Sequence, residues 1–302
     1  MGCDTPAGWL RSGMPASVTV ILPAYRCAAY LDEAVASALQ QGELVREVWI
    51  GDDASGDATL DRAMAWAQQD VRVKVWSSSV NIGPSAMRNA LLSRAQGDWI
   101  ALLDGDDAMA PGRIEQLAPL FSRADVISDV LGDWNGKTVR KTRLCISAGE
   151  VQQISPRDLL DFNLGWAKPL FRRSFLKQHA LRFNEDHRHS EDLEFYLHAS
   201  LAGAQWSHVS EMGYLFRRHA QSLSRDWKTG LQQSRIVLKE LAQLPELAVR
   251  PDCLRLLARM LRQKDNLEVL HGFQDNPTLG AFPKAIVSAA RLLTDRLDNR
   301  HA

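Results

Sequence analysis

Asp104-Gly105-Asp106-Asp107 places three carboxylates within four residues. Like charges held so close repel unless a cation joins them or their pKa values rise, and a bound divalent ion is the most direct relief. Oxygen ligands suit Mg2+ or Mn2+, ions that are usually held by one or two carboxylates and completed by substrate phosphates. The cluster therefore reads as part of a diphosphate site. A solvated acidic turn is the plainer alternative. Against it stands the apolar run Ile100-Ala101-Leu102-Leu103, a buried strand that delivers the acids to its exit.

Glu191-Asp192 opens a segment in which Leu193, Tyr196, Leu197 and Leu201 recur at helical spacing, so both acids lie at the positive end of a helix. That position keeps a carboxylate ionised, as a general base requires near neutral pH. It equally suits first-turn acids behind a Ser190 cap. Asp52-Asp53 can accept from a base N–H or a ribose hydroxyl, with Ser55 or Asp57 able to cap the helix that follows. Arg88 is the nearest basic candidate for phosphate, or an ordinary helix-surface arginine. His219, beside Arg217 and Arg218, is either a ligand for phosphate or metal or a surface histidine.

Other patterns carry less. His187-x-His189 with Glu191 lacks a third nitrogen or sulfur at zinc spacing. Trp166, Trp206 and Trp227 are able to stack on sugar rings or to fill core and rim. Neither G-x-x-x-x-G-K-[ST] nor G-x-G-x-x-G occurs, which disfavours an ATPase or a dinucleotide enzyme and leaves phosphates to a metal and a few basic side chains.

These residues need elements to hold them. Val18 to Leu22, Glu47 to Ile50, Val71 to Trp76 and Trp99 to Leu103 read as strands. Helical patterns from Tyr30, over Leu60 to Gln68 and over Ser85 to Arg94 separate them. Such alternation predicts an α/β fold with a mostly parallel sheet flanked by helices, in which ligands sit beyond the carboxyl ends of the strands. Pro23-Ala24-Tyr25, Asp52-Asp53, Asn81-Ile82-Gly83 and Asp104 to Asp107 are those exits. Further on, the spacing predicts a helix over Arg113 to Phe121, extended pieces at Val126 and at Val139 to Ile146, and a helix from Ser155. A helix over Glu191 to Leu201 and an extended pair, Trp206 to Val209 and Tyr214 to Arg217, come next. Helices carrying Leu254, Leu257 and Leu261, then Ile286, Ala290, Leu293 and Leu297, follow from about Asp226.

The bulk numbers bound the class. With 302 residues, 45% of them hydrophobic, the chain can bury a large core. Lys+Arg and Asp+Glu balance at 36 each, so no global field favours nucleic acid as a partner. The longest apolar runs fall far short of the roughly 20 residues that span a bilayer, and the first residues lack a secretory pattern. A cytoplasmic address is expected, with Cys3, Cys27, Cys145 and Cys253 as reduced thiols.

The order of motifs resembles glycosyltransferase family 2, the inverting enzymes of GT-A fold. The matching stretches are Val20-Ile21-Leu22-Pro23-Ala24-Tyr25, Asp52-Asp53-Ala54-Ser55, Asn81-Ile82-Gly83 with Ala86-Met87-Arg88-Asn89, Leu103-Asp104-Gly105-Asp106-Asp107, and Glu191-Asp192. The resemblance implies a nucleotide pocket of Pro23, Ala24, Tyr25, Asp52, Asp53, Arg88, Asp104 and Gly105. It implies a D-x-D pair, Asp104 and Asp106, with Asp106 reaching a Mn2+ or Mg2+ ion and His219 beside it. Asp192, next to Glu191, would take the proton from the acceptor hydroxyl. The donor would be a nucleotide sugar, UDP-linked by expectation, and the acceptor a saccharide or lipid-linked saccharide of a surface polysaccharide.

Under the same resemblance, residues 1–110 form the nucleotide-sugar half and 111–225 the acceptor half of one domain. Residues 226–302 are a helical extension suited to a lid, a dimer contact or peripheral contact with the inner face of the membrane. Two positions depart from the family: Arg26 stands where Asn is frequent and Ala54 where Gly is usual. Competing readings are a non-catalytic nucleotide-sugar binder and a sugar nucleotidyltransferase; the latter normally needs a Gly-rich basic loop that Pro23-Ala24-Tyr25-Arg26 does not offer.

Overall fold

Strand and helix alternate through the first hundred residues because short β-branched apolar runs are cut by Pro, Gly and Asp and followed by segments of helical period. The computed structural model describes residues 16–135, 138–141, 151–219 and 227–274. The lead before Ala16, Cys3, Cys145, the extended piece beyond Lys141 and the helix over Ile286 to Leu297 lie outside the described residues. The elements run β1 (Val18–Ala24), α1 (Leu31–Leu39), β2 (Val45–Asp53), α2 (Thr59–Gln69), β3 (Val73–Ser78), α3 (Pro84–Arg94) and β4 (Trp99–Leu102). Then come β5 (Ala108–Met109), α4 (Arg113–Leu117), β6 (Val126–Trp134), β7 (Val139–Lys141), β8 (Gln152–Gln153), α5 (Pro156–Asp161), β9 (Leu170–Arg172) and α6 (Arg173–Gln178). Last are α7 (Glu191–Leu201), β10 (Trp206–Arg217), α8 (Trp227–Leu241), α9 (Pro245–Ala248) and α10 (Pro251–Gln274).

One sheet runs β3-β2-β1-β4-β9-β6-β10-β5, with β7 on β6 and β8 on β10. The expected parallel arrangement occupies β3-β2-β1-β4. Beyond β4, β9 runs antiparallel to both β4 and β6, and among the described residues β6 and β10 are the parallel pair there. The sheet is buried on both faces. Ile21, Ile100, Leu102 and Val126 belong to one apolar cluster, and their neighbours Val20, Leu22, Ala101, Leu103 and Ile127 to the other, as the two-residue period of a pleated strand requires.

Local differences from the sequence pattern have physical causes. The helix expected over Arg113 to Phe121 tightens into a 3-10 turn over Ala118–Leu120, where Pro119 lacks an N–H for the α-helical bond. The expected pair at Trp206 and Tyr214 is one strand, β10, whose register against β6 shifts between His208 and Tyr214. That irregularity lets one strand pair with β6, β8 and β5.

Val237, Leu238 and Leu241 of α8 and Cys253, Leu257 and Met260 of α10 are buried in the same cluster as Leu159, Leu160 and Leu193. Polar ties join the same elements. His187 sits between Glu194 of α7, 2.7 Å from Nδ1, and Glu240 of α8, 3.2 Å from Nε2, and Ser190 Oγ meets Ser234 Oγ at 2.8 Å. With both ring nitrogens of His187 facing carboxylates, the zinc pattern with Glu191 does not form. Among the described residues no helix is long and apolar enough to cross a membrane.

Candidate active site

After β4 the chain stays against β1: Leu103 N donates to Ile21 O at 3.1 Å and Gly105 N to Pro23 O at 3.2 Å. A Cβ at Gly105 would lie 2.8 Å from Cys27 Sγ, so the close approach requires glycine. The three acids then diverge. Asp107 is buried and accepts from Tyr214 Oη and Arg217 N, each at 2.7 Å. Burial, reinforced by the charges of Asp106 and Asp104, pushes its carboxyl well up. Asp106 remains partly open and meets His219 Nε2 at 2.8 Å, while the His219 ring lies 4.5 Å from that of Tyr30. Arg217 donates to Asp106 O at 2.9 Å, pairs with Glu33 and lies over the Trp134 ring.

Asp104 turns into a charge network. Its Oδ1 accepts from Arg88 Nη2 at 2.9 Å and its Oδ2 lies 2.8 Å from Lys168 Nζ. Lys168 Nζ reaches Asp192 Oδ2 at 2.6 Å; Arg88 Nη1 reaches Glu191 Oε1 at 2.8 Å and lies 3.4 Å from Asp192 Oδ1. Arg88 is 4% exposed, which overturns its reading as a surface residue. Two cations thus face three carboxylates, leaving one negative charge uncompensated. Burial works against the Asp104 charge, yet Lys168 and then Arg88 hold its carboxyl well below the usual range. Burial and the neighbouring Asp192 charge push Glu191 up. Burial opposes the charge of both bases, but Asp104 and Asp192 keep Lys168 and Arg88 firmly protonated. Asp192 Oδ1 is buried without a hydrogen-bond partner.

Separate elements hold this network. Arg88 comes from α3, whose start at Pro84 follows Gly83 with φ +87°. Asp192 lies in the first turn of α7. Ser190 precedes that turn at φ +61° and makes no capping bond, because its hydroxyl meets Ser234 instead, so the expected Ser190 cap is absent. Lys168 sits between the 3-10 turn Leu164–Trp166 and β9. Its carbonyl accepts from Arg113 Nη2 at 2.6 Å, and Arg113, fully buried, forks onto Asp129 at 2.6 and 2.8 Å. Tyr196 Oη donates to Ala167 O at 2.6 Å. No motif marks Lys168; its one signal is a lysine alone in the stretch Leu164-Gly165-Trp166-Ala167-Lys168-Pro169-Leu170-Phe171.

The exits of β1 and β2 form the adjoining wall. Asp53 is buried and accepts from Ile82 N at 2.7 Å, Gly83 N at 2.9 Å and Asn81 Nδ2 at 2.9 Å, so it shapes the loop that opens α3. Asp52 accepts from Ser55 Oγ, which itself accepts from Arg26 N at 3.0 Å. Asp57, not Ser55, serves the next helix, accepting from Thr59 N at 3.0 Å. Arg26 and Ala54 have φ of +49° and +54°, a left-handed conformation that Asn and Gly adopt more readily. Pro23 and Ala24 end β1, with Tyr25 40% exposed beyond them. Trp206 is fully buried and gives its Nε1–H to Ser128 Oγ, so it cannot stack on a sugar. Trp166 is 56% exposed at the rim, 6.2 Å from Phe216. The Trp227 side chain lies outside the described residues.

For a hard divalent ion, the exposed Asp106 oxygen and His219 are a fitting donor pair, to be completed by phosphate oxygens. Asp104 already has a cation against each oxygen.

Residues 19–179 match the family model described as glycosyl transferase family 2. The succinoglycan biosynthesis proteins ExoO and ExoU of Rhizobium meliloti (strain 1021) are 33% and 31% identical over 69% and 73% of this chain. Those alignments span 62% and 67% of the two relatives' own lengths. Among solved structures, S. aureus TarS 1-349 in complex with UDP-GlcNAc superposes with a TM-score of 0.65 at 21% identity, covering 87% of this chain and 74% of that one. The mannosyltransferase PcManGT from Pyrobaculum calidifontis, in complex with GDP-Man and Mn2+, gives 0.58 at 15% identity over 93% and 81%. These two likenesses show a shared GT-A fold.

Proposed function

The chain belongs to glycosyl transferase family 2, and on that premise we propose that it moves one sugar from a UDP-linked donor to an acceptor hydroxyl, with inversion, in assembly of a surface polysaccharide. The relatives' part in succinoglycan biosynthesis supports the polysaccharide, and the UDP-GlcNAc held by the TarS structure supports the donor class. The observation that carries the chemistry is Asp192: a buried carboxylate with one oxygen clamped by Lys168 and the other, Oδ1, without a hydrogen-bond partner. Such an oxygen can receive a proton from an incoming hydroxyl.

In the proposed step the acceptor oxygen attacks the anomeric carbon while its proton passes to Asp192 Oδ1. The bond from that carbon to the diphosphate oxygen breaks, and its electron pair leaves with the nucleoside diphosphate. One displacement inverts the anomeric centre, through an oxocarbenium-like transition state. Lys168 and Arg88 hold Asp192, Glu191 and Asp104 in fixed register, so the base is oriented before substrate arrives. Pro23, Ala24, Tyr25, Asp52 and Asp53 wall the nucleotide pocket, with Gly105 letting the acidic turn lie against the end of β1 beside them. A Mn2+ or Mg2+ ion at Asp106 and His219 would offset the charge of the leaving diphosphate. The acceptor is a saccharide, free or lipid-linked.

A nucleotide-sugar panel with Mn2+, read out by free nucleoside diphosphate and product linkage, tests this reading. Turnover should fall at least about 100-fold in Asp192→Asn, and Asp106→Ala should lose its metal response. Unchanged turnover in both variants refutes it, and tight donor binding with no transfer would favour a non-catalytic binder.

A further inference from the structure

Away from the charge network, α5 and α10 enclose a cavity of ≈ 270 Å3 lined by Arg157, Asp252, Arg255, Leu256, Arg259 and Arg262. Arg255, Arg259 and Arg262 stand at i, i+4 and i+7 on α10, hence on one helix face, and Arg157 faces them from the first turn of α5. Arg259 pairs with Asp161 at 2.8 Å, but its Nε is buried without a partner. Arg157, Arg255 and Arg262 make no ion pair among the described residues, whereas Arg72, Arg88, Arg113 and Arg172 are each matched to a carboxylate. Four guanidinium groups therefore face two carboxylates, Asp252 and Asp161, in a chain whose formal net charge is zero.

We propose that this groove binds a phosphate group, either the phosphodiester of an anionic lipid headgroup or a soluble diphosphate. Concentrated like charge is relieved by an anion, and the planar arginine fork matches phosphate oxygens two at a time. The space far exceeds the about 15 Å3 that admits one water and accommodates a diphosphate or a headgroup. The two non-bridging oxygens of a phosphodiester, or the larger set on a diphosphate, accept from guanidinium donors converging from both helices. The occupant would rest on α5, whose chain continues through Leu164–Trp166 to Lys168.

The test compares the full chain with Arg255→Gln/Arg262→Gln and, separately, with Arg157→Gln. These are exposed side chains without ion pairs, so thermal melts should coincide. Two probes are used: flotation with vesicles containing phosphatidylglycerol against pure phosphatidylcholine, and calorimetric titration with inorganic pyrophosphate in metal-free buffer. Binding to at least one probe should weaken tenfold or more in the double variant, less in Arg157→Gln, and fall as salt rises. Binding to phosphatidylglycerol vesicles identifies a headgroup site; pyrophosphate binding alone identifies a soluble anion. Pyrophosphate held at the donor site would be common to all three proteins and cancels in the comparison. Absence of binding to both probes, or equal binding by the full chain and the double variant, overturns the proposal.

Discussion

Replacing Lys168 by Met keeps the aliphatic stem and removes only the charge that lies 2.8 Å from Asp104 and 2.6 Å from Asp192. At an effective dielectric of about 20, each such contact carries roughly 6 kcal/mol of attraction before desolvation is subtracted. Lys168 is 6% exposed, so solvent screens little of it. Removing one partner of a buried network leaves the others uncompensated, at a cost of about 3–5 kcal/mol. Here Arg88 alone would face Asp104, Glu191 and Asp192. For a domain of this size the midpoint of thermal unfolding should fall by roughly 6–20 °C, and turnover by about 100-fold as the base loses its register. Differential scanning fluorimetry and the nucleotide-release assay measure the two effects. Adding Asp192→Asn should recover part of the lost stability, a coupling of about 1–3 kcal/mol, because the double variant buries one unmatched carboxylate fewer than Lys168→Met alone. Lys168→Arg should keep more stability than Lys168→Met. A midpoint within 1 °C of the parent (about 0.3 kcal/mol), with additive double-variant effects, would refute the clamp.

Other outcomes follow from single sites. Burial pushes the Glu47 carboxyl up, but Lys74, Gln96 N–H and the Thr19 hydroxyl together bring it below its ordinary value. Its stabilisation is therefore complete above about pH 4.3 and is lost as pH falls through the lower folded value. Glu47→Gln should lower the melting midpoint at pH 7, and the gap should close on acidification toward pH 3; a gap independent of pH counts against the assignment. Burial, and then the Asp106 charge, push the Cys27 thiol up to about 12. Peptide mapping after iodoacetamide at pH 8 should find Cys27 unmodified in the native protein and modified in urea; equal labelling would contradict this. Ala54→Gly, relieving a left-handed φ of +54°, should stabilise by about 0.5–1 kcal/mol, measured by urea unfolding, and a loss of stability would show that Ala54 is not strained.

The strand exits were legible because they depend on neighbours in the chain: an apolar run ends, acids follow, and a sheet must bring its carboxyl ends together. That local logic located Asp52, Asp53, Asp104 to Asp107 and Arg88, and the helix period put Glu191-Asp192 in a first turn. Similar acids nonetheless take different environments. Asp53 spends its oxygens on the backbone of Ile82 and Gly83, Asp107 is enclosed by Tyr214 and Arg217, and Asp104 is clamped by two cations. Those differences arise from residues 16 to 110 positions away in sequence, which no spacing rule connects. Lys168 shows this most plainly. As a lone lysine it carries no motif, and only the packing of Arg113 on Asp129, of Tyr196 on Ala167 and of α7 beside β9 brings its ammonium between Asp104 and Asp192. Local periodicity determined which acids reach the crevice. Long-range burial decided which of them keep a free oxygen there, because desolvation and ion pairing act through space and are set only once the sheet has closed.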